Sequence, residues 1–390
     1  MKTQKHNKVF ITYHGSASSL GITTEEILQS LSQKNPQPIT DKKNFNFSKP
    51  YYAIPSSLER YKNQVRSSAI IFSLLDKCKD FIDSNENIPV FLSSSTGGIR
   101  ETEFNYIDLI NKTSSYSVFE NHFFNKASTD VRKRYSTGKI GEIFTFSTAC
   151  SSSGHAIYQA ARLIRAGVIN YAILLGIDII SKTTLIGFDS LQLVSDKTSC
   201  PLTEQRSGLT LGEGAGILIL ENKPRTPNDF EIAGVGSGVD GYHITSPDPS
   251  GVNQRKCIND ALNEAGISAN DVGYVNAHGT GTKMNDQIEL SVLEDMFNKN
   301  TYVTSLKSYI GHTLGASTIT EISICIDMLK SGFIYQPTDF SNPISPLIPL
   351  TTVKANNINY FLKNSFGFGG NNVSVLIKTN IRDNSDKKDV

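Results

Sequence analysis

The chain lacks a charge bias: 38 Lys and Arg stand against 37 Asp and Glu, a formal net charge of +1. Neither nucleic acid nor an acidic membrane surface is suggested as a partner. It lacks a long apolar run, since nothing approaches the ~18 residues that a membrane-spanning helix needs. The opening "MKTQKHNKVFITYHG" has no apolar signal core, so a cytoplasmic location is expected. Five cysteines are present, Cys78, Cys150, Cys200, Cys257 and Cys325, and no two form a CxxC pair. That spacing excludes zinc-ribbon and thioredoxin-type readings and fits a reducing compartment. Walker-loop and dinucleotide fingerprints are also absent, and no metal or cofactor is implied.

What is present is α/β grammar. The 390 residues fit two modest domains or one large unit of repeated halves. "KVFITYHG" (8–15) reads as a strand, and Thr23 with Glu26 has capping-box spacing for a following helix. "SSAIIFSLLDKCKDFI" (67–82) reads as one buried helix, and "NIPVFLSSS" as a strand entering a small-residue loop. The polar end "NIRDNSDKKDV" (380–390) reads as a frayed tail.

An internal echo organises the rest. "EIFTFSTACSSSGHAIYQAARLIRAGVINYAILL" and "YVTSLKSYIGHTLGASTITEISICIDMLKSGFI" share the order strand, tight turn, helix, strand. "LGEGAGILILE" (211–221) is echoed by "FGFGGNNVSVLIK" (366–378). The repeat predicts a duplicated fold, with an N-terminal half over 8–222 and a C-terminal half over 229–379. It also predicts that the Cys150 turn and the Lys307/His312 stretch occupy equivalent places facing one cleft.

Cys150 stands where an apolar strand stops and a helix begins. There the unpaired N–H groups and positive dipole end of the helix lower a thiol pKa. By position alone it fits either a buried packing thiol or a nucleophile. His278, in "YVNAHGTGTKMND", and His312, in "SLKSYIGHTLGAS", both follow strands into small-residue turns. Each alone also fits a structural histidine, whereas His155 fits a hydrogen-bonded core residue. Glu321 interrupts an apolar run and is either a surface residue or a buried carboxylate paired with Lys307. The Gly-rich "NSFGFGGNN" (364–372) lets backbone approach a ligand closely, or makes a tight turn.

Taken together and in order, "STACSSSGHA", "NAHGTGT", "KSYIGH" and "NSFGFGGNN" resemble the elongating, type II branch of the β-ketoacyl-[acyl-carrier-protein] synthases of the thiolase superfamily. The resemblance runs from about residue 8 to about residue 379 and includes "LGEGAGILILE" and Arg206-Ser207-Gly208. It implies a thiolase fold, duplicated halves in a five-layered αβαβα sandwich, and a homodimer or a heterodimer with a related synthase. It implies that Cys150 accepts an acyl chain from an acyl carrier protein. His278 and His312 then promote decarboxylation of a malonyl thioester, with Lys307 and Glu321 supporting His312. It further implies that Phe368 gates the pocket and shares an oxyanion hole with Cys150. Phe366, Gly369, Gly370, Thr280 and Thr282 lie in the same matching motifs and are expected to contact substrate.

Three features depart from that pattern. The segment 123–142 is polar, "PLTEQR" replaces the usual Pro-Phe-Asp lead to the signature, and "TYHGSAS" replaces the first Gly-rich turn. "GFDSLQLVS" (187–195) resembles synthases of aryl-polyene pathways. The expected pathway is therefore fatty acid synthesis or a specialised polyene or polyketide-like one, for example of aryl polyenes. A chain-length-determining partner subunit is the alternative, although such partners typically lack the nucleophile. A non-decarboxylating thiolase would need a second active-site cysteine late in the chain, and the paired histidines disfavour a papain-like plan. Because the carrier protein is acidic, Arg60, Lys62 and Arg66 are candidate contacts; a solvated helix face is the other reading.

Overall fold

The computed structural model describes residues 7–34, 36–41, 45–55, 64–111, 116–135, 138–338 and 342–380. Ten strands form the main sheet: β1 (Phe10–Ala17), β2 (Ile88–Ser93), β3 (Ile140–Phe146), β4 (Tyr171–Asp178), β5 (Gly214–Glu221), β6 (Phe230–Val239), β7 (Tyr274–Asn276), β8 (Tyr302–Thr304), β9 (Tyr360–Phe366) and β10 (Asn371–Lys378). Their spatial order is β8-β7-β9-β10-β6-β1-β5-β4-β2-β3.

Outward from the centre, each half follows the same path: first strand, fifth, fourth, second, third. Strand directions repeat as well. β1–β5 and β5–β4 are antiparallel while β4–β2 and β2–β3 are parallel. β6–β10, β10–β9, β9–β7 and β7–β8 copy that pattern. The halves join where β1 meets β6, through Phe10–Glu231 and Ile11–Phe230. The duplication expected from the sequence echo is therefore present, strand by strand.

Two 14-residue helices, Ser152–Arg165 and Ser317–Lys330, contact strands of both halves and fill the space between the two halves of the sheet. The second is buried from Ser317 to Leu329, as a helix with apolar contacts on all faces must be. Arg66–Leu75 covers the outer face of the first half, and Val252–Ala265 with Lys283–Met296 covers that of the second. The result is five alternating layers. β4, with every residue after Tyr171 buried, is apolar from Ala172 to Ile177 because both its faces are covered, and ends in Asp178.

Local signals are met in part. Thr23 and Glu26 form the capping box of the Thr24–Gln33 helix. The helix expected over 67–82 is interrupted: Cys78, at φ −108° and ψ 17°, leaves the helical region and separates Arg66–Leu75 from Lys79–Ser84. Among the described residues no helix is long and apolar enough to cross a membrane. The tail from residue 381 onward lies outside the described residues.

Candidate active site

β3, an outermost strand, runs into a turn and then into a middle-layer helix; β8, its counterpart, does so only after the short helix Lys307–Ile310, so His312 follows that helix and not, as expected, the strand directly. Ala149 and Leu314 hold the corresponding left-handed positions, both at φ 51°. Each lies three residues before its helix, so Cys150 in one turn matches Gly315 in the other. A non-glycine residue in this region costs about 1–2 kcal/mol. The surrounding structure holds both turns in place.

Cys150 is buried. Backbone N–H groups of Phe368 and of Cys150 itself favour its thiolate, as does the more distant Lys307 ammonium. Burial outweighs them and pushes the thiol up to about 11. The helix start therefore does not produce the lowered resting pKa expected from sequence; removal from water is the larger effect. The other four cysteines are free and buried too.

His312 lies over the thiol, with Nε2 at 3.0 Å from Cys150 Sγ. Its backbone N–H donates to Thr210 O at 2.7 Å, and its carbonyl accepts from Gly212 N at 3.0 Å. The amide of Leu314 donates to His312 Nδ1 at 3.2 Å. An atom that accepts an amide N–H carries no proton, so the neutral ring bears its hydrogen on Nε2. The Nε2–H thus points at the thiol and the space above it. Burial, aided by the Lys307 and Lys363 ammoniums, holds His312 well below the ordinary imidazole pKa.

His278 joins from the end of β7, its ring 5.4 Å from that of His312 and 84° to it. Its loop is held by Glu289: the amides of His278 and Gly279 donate to the two carboxylate oxygens at 2.8 and 2.9 Å. Asn364 Nδ2 donates to Glu289 at 3.2 Å and is itself oriented by Ser374. Burial pushes the Glu289 carboxyl up while these donors pull it down. His278 Nδ1 is buried without a partner among the described residues. Burial, then Lys307, His312 and Lys363, push this imidazole well below its ordinary value.

Behind the histidines runs a buried ionic row. Lys307 Nζ donates to Glu321 Oε1 at 2.7 Å, and Lys363 Nζ donates to Glu321 Oε2 at 2.7 Å. Glu321 is thus a buried, paired carboxylate, and Lys363 is a second partner that sequence reasoning missed. Asp178, buried at the end of β4, accepts from the backbone and hydroxyls of Ser95 and Thr96, from the Ser94 hydroxyl and from Gly315 N. It ties the loop after β2 to the His312 turn.

The Gly-rich loop closes the site. Gly369 and Gly370 take left-handed φ of 74° and 75°, and a Cβ on Gly370 would stand 1.7 Å from Asp240 O. Phe368 stacks on Phe188 at 5.7 Å and 20°. Two cavities meet at Cys150 with Phe368 lining both. One holds His278, His312, Thr280, Thr282, Phe366 and Gly370, with His243 and Ile244 at its rim. The other, about 560 Å³, is lined by Ser95, Thr96, Thr183, Thr184, Phe188 and Leu191 among others.

His155 bonds Thr148, Ser151 O and Ser237 as a core residue. Of the candidate carrier contacts, Arg60 and Lys62 lie outside the described residues. Arg66 turns inward, its guanidinium on buried Glu213 and the Ile54 carbonyl.

The chain matches the model of the β-ketoacyl synthase N-terminal domain over residues 79–225 and that of the β-ketoacyl synthase C-terminal domain over 230–341. A 3-oxoacyl-[acyl-carrier-protein] synthase 2 of Rhizobium meliloti (strain 1021) is 35% identical over 59% of this chain and 59% of that protein. A 3-oxoacyl-[acyl-carrier-protein] synthase 1 of Buchnera aphidicola subsp. Baizongia pistaciae is 29% identical over 95% of this chain and 99% of that protein. With several curated relatives at 30–35% identity, the chain spans 48–63% of their length. A chain of the solved complex between a ketosynthase (ApeO) and its chain length factor (ApeC) from Xenorhabdus doucetiae aligns with a TM-score of 0.84 and 29% identity, covering 96% of this chain and 98% of that one. Both family domains are matched in order, and the thiol and imidazoles meet between the halves that carry them: the chain belongs to the β-ketoacyl synthase family.

Proposed function

We propose that this chain catalyses a decarboxylative Claisen condensation between an acyl group held on Cys150 and a malonyl-acyl carrier protein, yielding a 3-oxoacyl-acyl carrier protein. The observation that carries the reading is the His312 Nε2–Cys150 Sγ approach of 3.0 Å beside a second buried imidazole.

In the loading step, Cys150 Sγ attacks the acyl thioester. The carrier's C–S bond breaks, a C–S bond to Cys150 forms, and the thiol proton ends on the carrier sulfur. Because the resting thiol is protonated, the amides of Phe368 and Cys150 act mainly on the charge that develops during attack. In the second step the malonyl carboxylate leaves as carbon dioxide, and its bonding pair passes to the α-carbon and the thioester oxygen. Two neutral imidazoles meet that oxygen, with the His312 hydrogen already on Nε2. The α-carbon then attacks the Cys150 thioester. The tetrahedral oxyanion faces the Cys150 and Phe368 amides, and its collapse expels the Cys150 thiolate. Loss of carbon dioxide supplies the carbanion, so no strong base is required.

Phe368 between the two cavities suits it to separate the acyl chain from the incoming malonyl unit. "GFDSLQLVS", which places Phe188 and Leu191 on the larger cavity, supports a specialised polyene or polyketide-like chain. The solved ketosynthase–chain length factor complex supports pairing with a related subunit, with this chain as the active member because it keeps Cys150.

The test is intact-mass spectrometry. Wild-type protein expressed beside its carrier protein is expected to carry an acyl adduct on Cys150 whose mass reports its length and unsaturation. Cys150→Ala is expected to carry none, with loss of condensation by at least ~10³-fold. A persistent adduct on that variant would sink the nucleophile assignment, and a long saturated adduct on the wild type would sink the polyene reading.

A further inference from the structure

One carboxylate needs one cation, yet Glu321 has two. Each additional buried charge carries a desolvation penalty of several kcal/mol, so a second lysine needs a reason. Lys363 reaches Glu321 from β9, with its Nζ also 3.4 Å from the Ala277 carbonyl. Ala277 precedes His278, Lys307 opens the short helix that leads to His312, and β9 continues into the loop of Phe368. The Lys307–Glu321–Lys363 row therefore touches the backbone segments that carry both imidazoles and the oxyanion amide. All three side chains are at most 1% exposed.

We propose that Lys363 is a positioning and charge-setting residue for the condensing site: it locks Glu321 and the His278 strand end, and it gives the buried row behind the imidazoles one more cation than anion. The proposal rests on the condensing reading above. The groups facing Lys363 are Glu321, Lys307, the Cys325 thiol, which burial pushes up to about 12, and the two imidazoles. Glu289, on the far side of Asn364, is occupied by the His278 and Gly279 amides.

The charge half has a definite sign. A neighbouring cation disfavours imidazolium, so removing it lets both histidines protonate at higher pH. An imidazolium cannot accept the Leu314 amide at Nδ1, and the acid limb of activity should move upward. Burial also lowers Lys363 itself to about 8, so wild-type activity should fall as pH rises through that value.

Lys363→Met keeps the stem and removes the charge. Relative to wild type it is expected to lower kcat for carbon dioxide release from malonyl-acyl carrier protein by about tenfold, with KM within about threefold. The acid limb should rise by about one pH unit, and Lys363→Arg should restore it. Carbon-13 NMR of labelled imidazoles reads the same rise in His278 and His312 without turnover. An inactive wild type would therefore overturn the condensing reading while leaving the Lys363 proposal testable. Imidazole titrations that coincide in wild type and Lys363→Met would overturn it, whatever happens to kcat. If the Met variant does not fold, Lys363→Arg carries the test: Arg keeps its charge, so the alkaline fall should move to higher pH, and an unmoved limb overturns the proposal.

Discussion

The turns at 147–152 and 312–317 share one frame and carry different side chains. Each follows an outermost strand, places a non-glycine residue at φ 51°, and starts a 14-residue middle helix. In the first turn, the position after the left-handed residue carries a thiol that faces two cavities. In the second it is Gly315, with its amide 2.6 Å from Asp178 and no room for a side chain. The second turn places its imidazole, His312, three residues earlier instead, within 3.0 Å of the thiol. Each turn is also braced by the other half. Asp178, ending β4, holds the Gly315 turn, whereas Gly367, following β9, packs on the Cys150 turn at Ser151 and Thr148. Duplication thus supplies two like frames that meet, and their unlike residues combine into one site.

The largest way to break that pairing, short of removing Cys150, is to remove the chemistry of the second turn. His312→Ala is expected to lower condensation by about 10²–10⁴-fold while acyl loading of Cys150, read by intact mass, stays within about threefold. His278→Ala should behave alike, since its ring stands on the same cavity. If both variants condense at the wild-type rate, the second turn contributes only a scaffold.

A smaller effect tests why the frames differ. A Cβ on Gly315 would stand 2.9 Å from both Asp178 Oδ2 and Ser95 N. Gly315→Ala must therefore displace part of the six-donor cage of Asp178, at a cost of about 1–3 kcal/mol. Urea unfolding midpoints measure it. A neutral result would show that Gly315 is tolerated at this position, not required there.

Much of the frame was legible because it is local and repeated. Strand, turn and helix recur in sequence order, and the small residues flanking Cys150 and His278 mark strand ends, while those at His312 mark the end of the short helix Lys307–Ile310. The bracing was not legible, because it depends on burial and on partners far along the chain. Lys363 lies 42 residues from Glu321, and Asp178 lies 137 from Gly315. A signal for Lys363 did exist: a lone lysine in "NYFLKNSF" invites the question asked of Glu321. The thiol shows the same limit in reverse. Its helix start is written in the sequence, whereas the burial that overrides it appears only once both halves of the sheet are in place.

The smallest expected effect tests whether the left-handed positions are strained frames or only comfortable turns. Ala149→Gly removes a Cβ whose left-handed conformation costs about 1–2 kcal/mol. It also adds unfolded-state freedom that costs about 0.4–1 kcal/mol. The two partly offset, so stability should stay the same or rise by at most about 1.6 kcal/mol, measured by urea unfolding. Leu314 holds the same φ, yet its side chain is 2% exposed, and glycine there would also discard a packed leucine. A clear loss of stability in Ala149→Gly would mean that the Cys150 turn needs its Cβ for packing. The two turns would then share a conformation while differing in what enforces it.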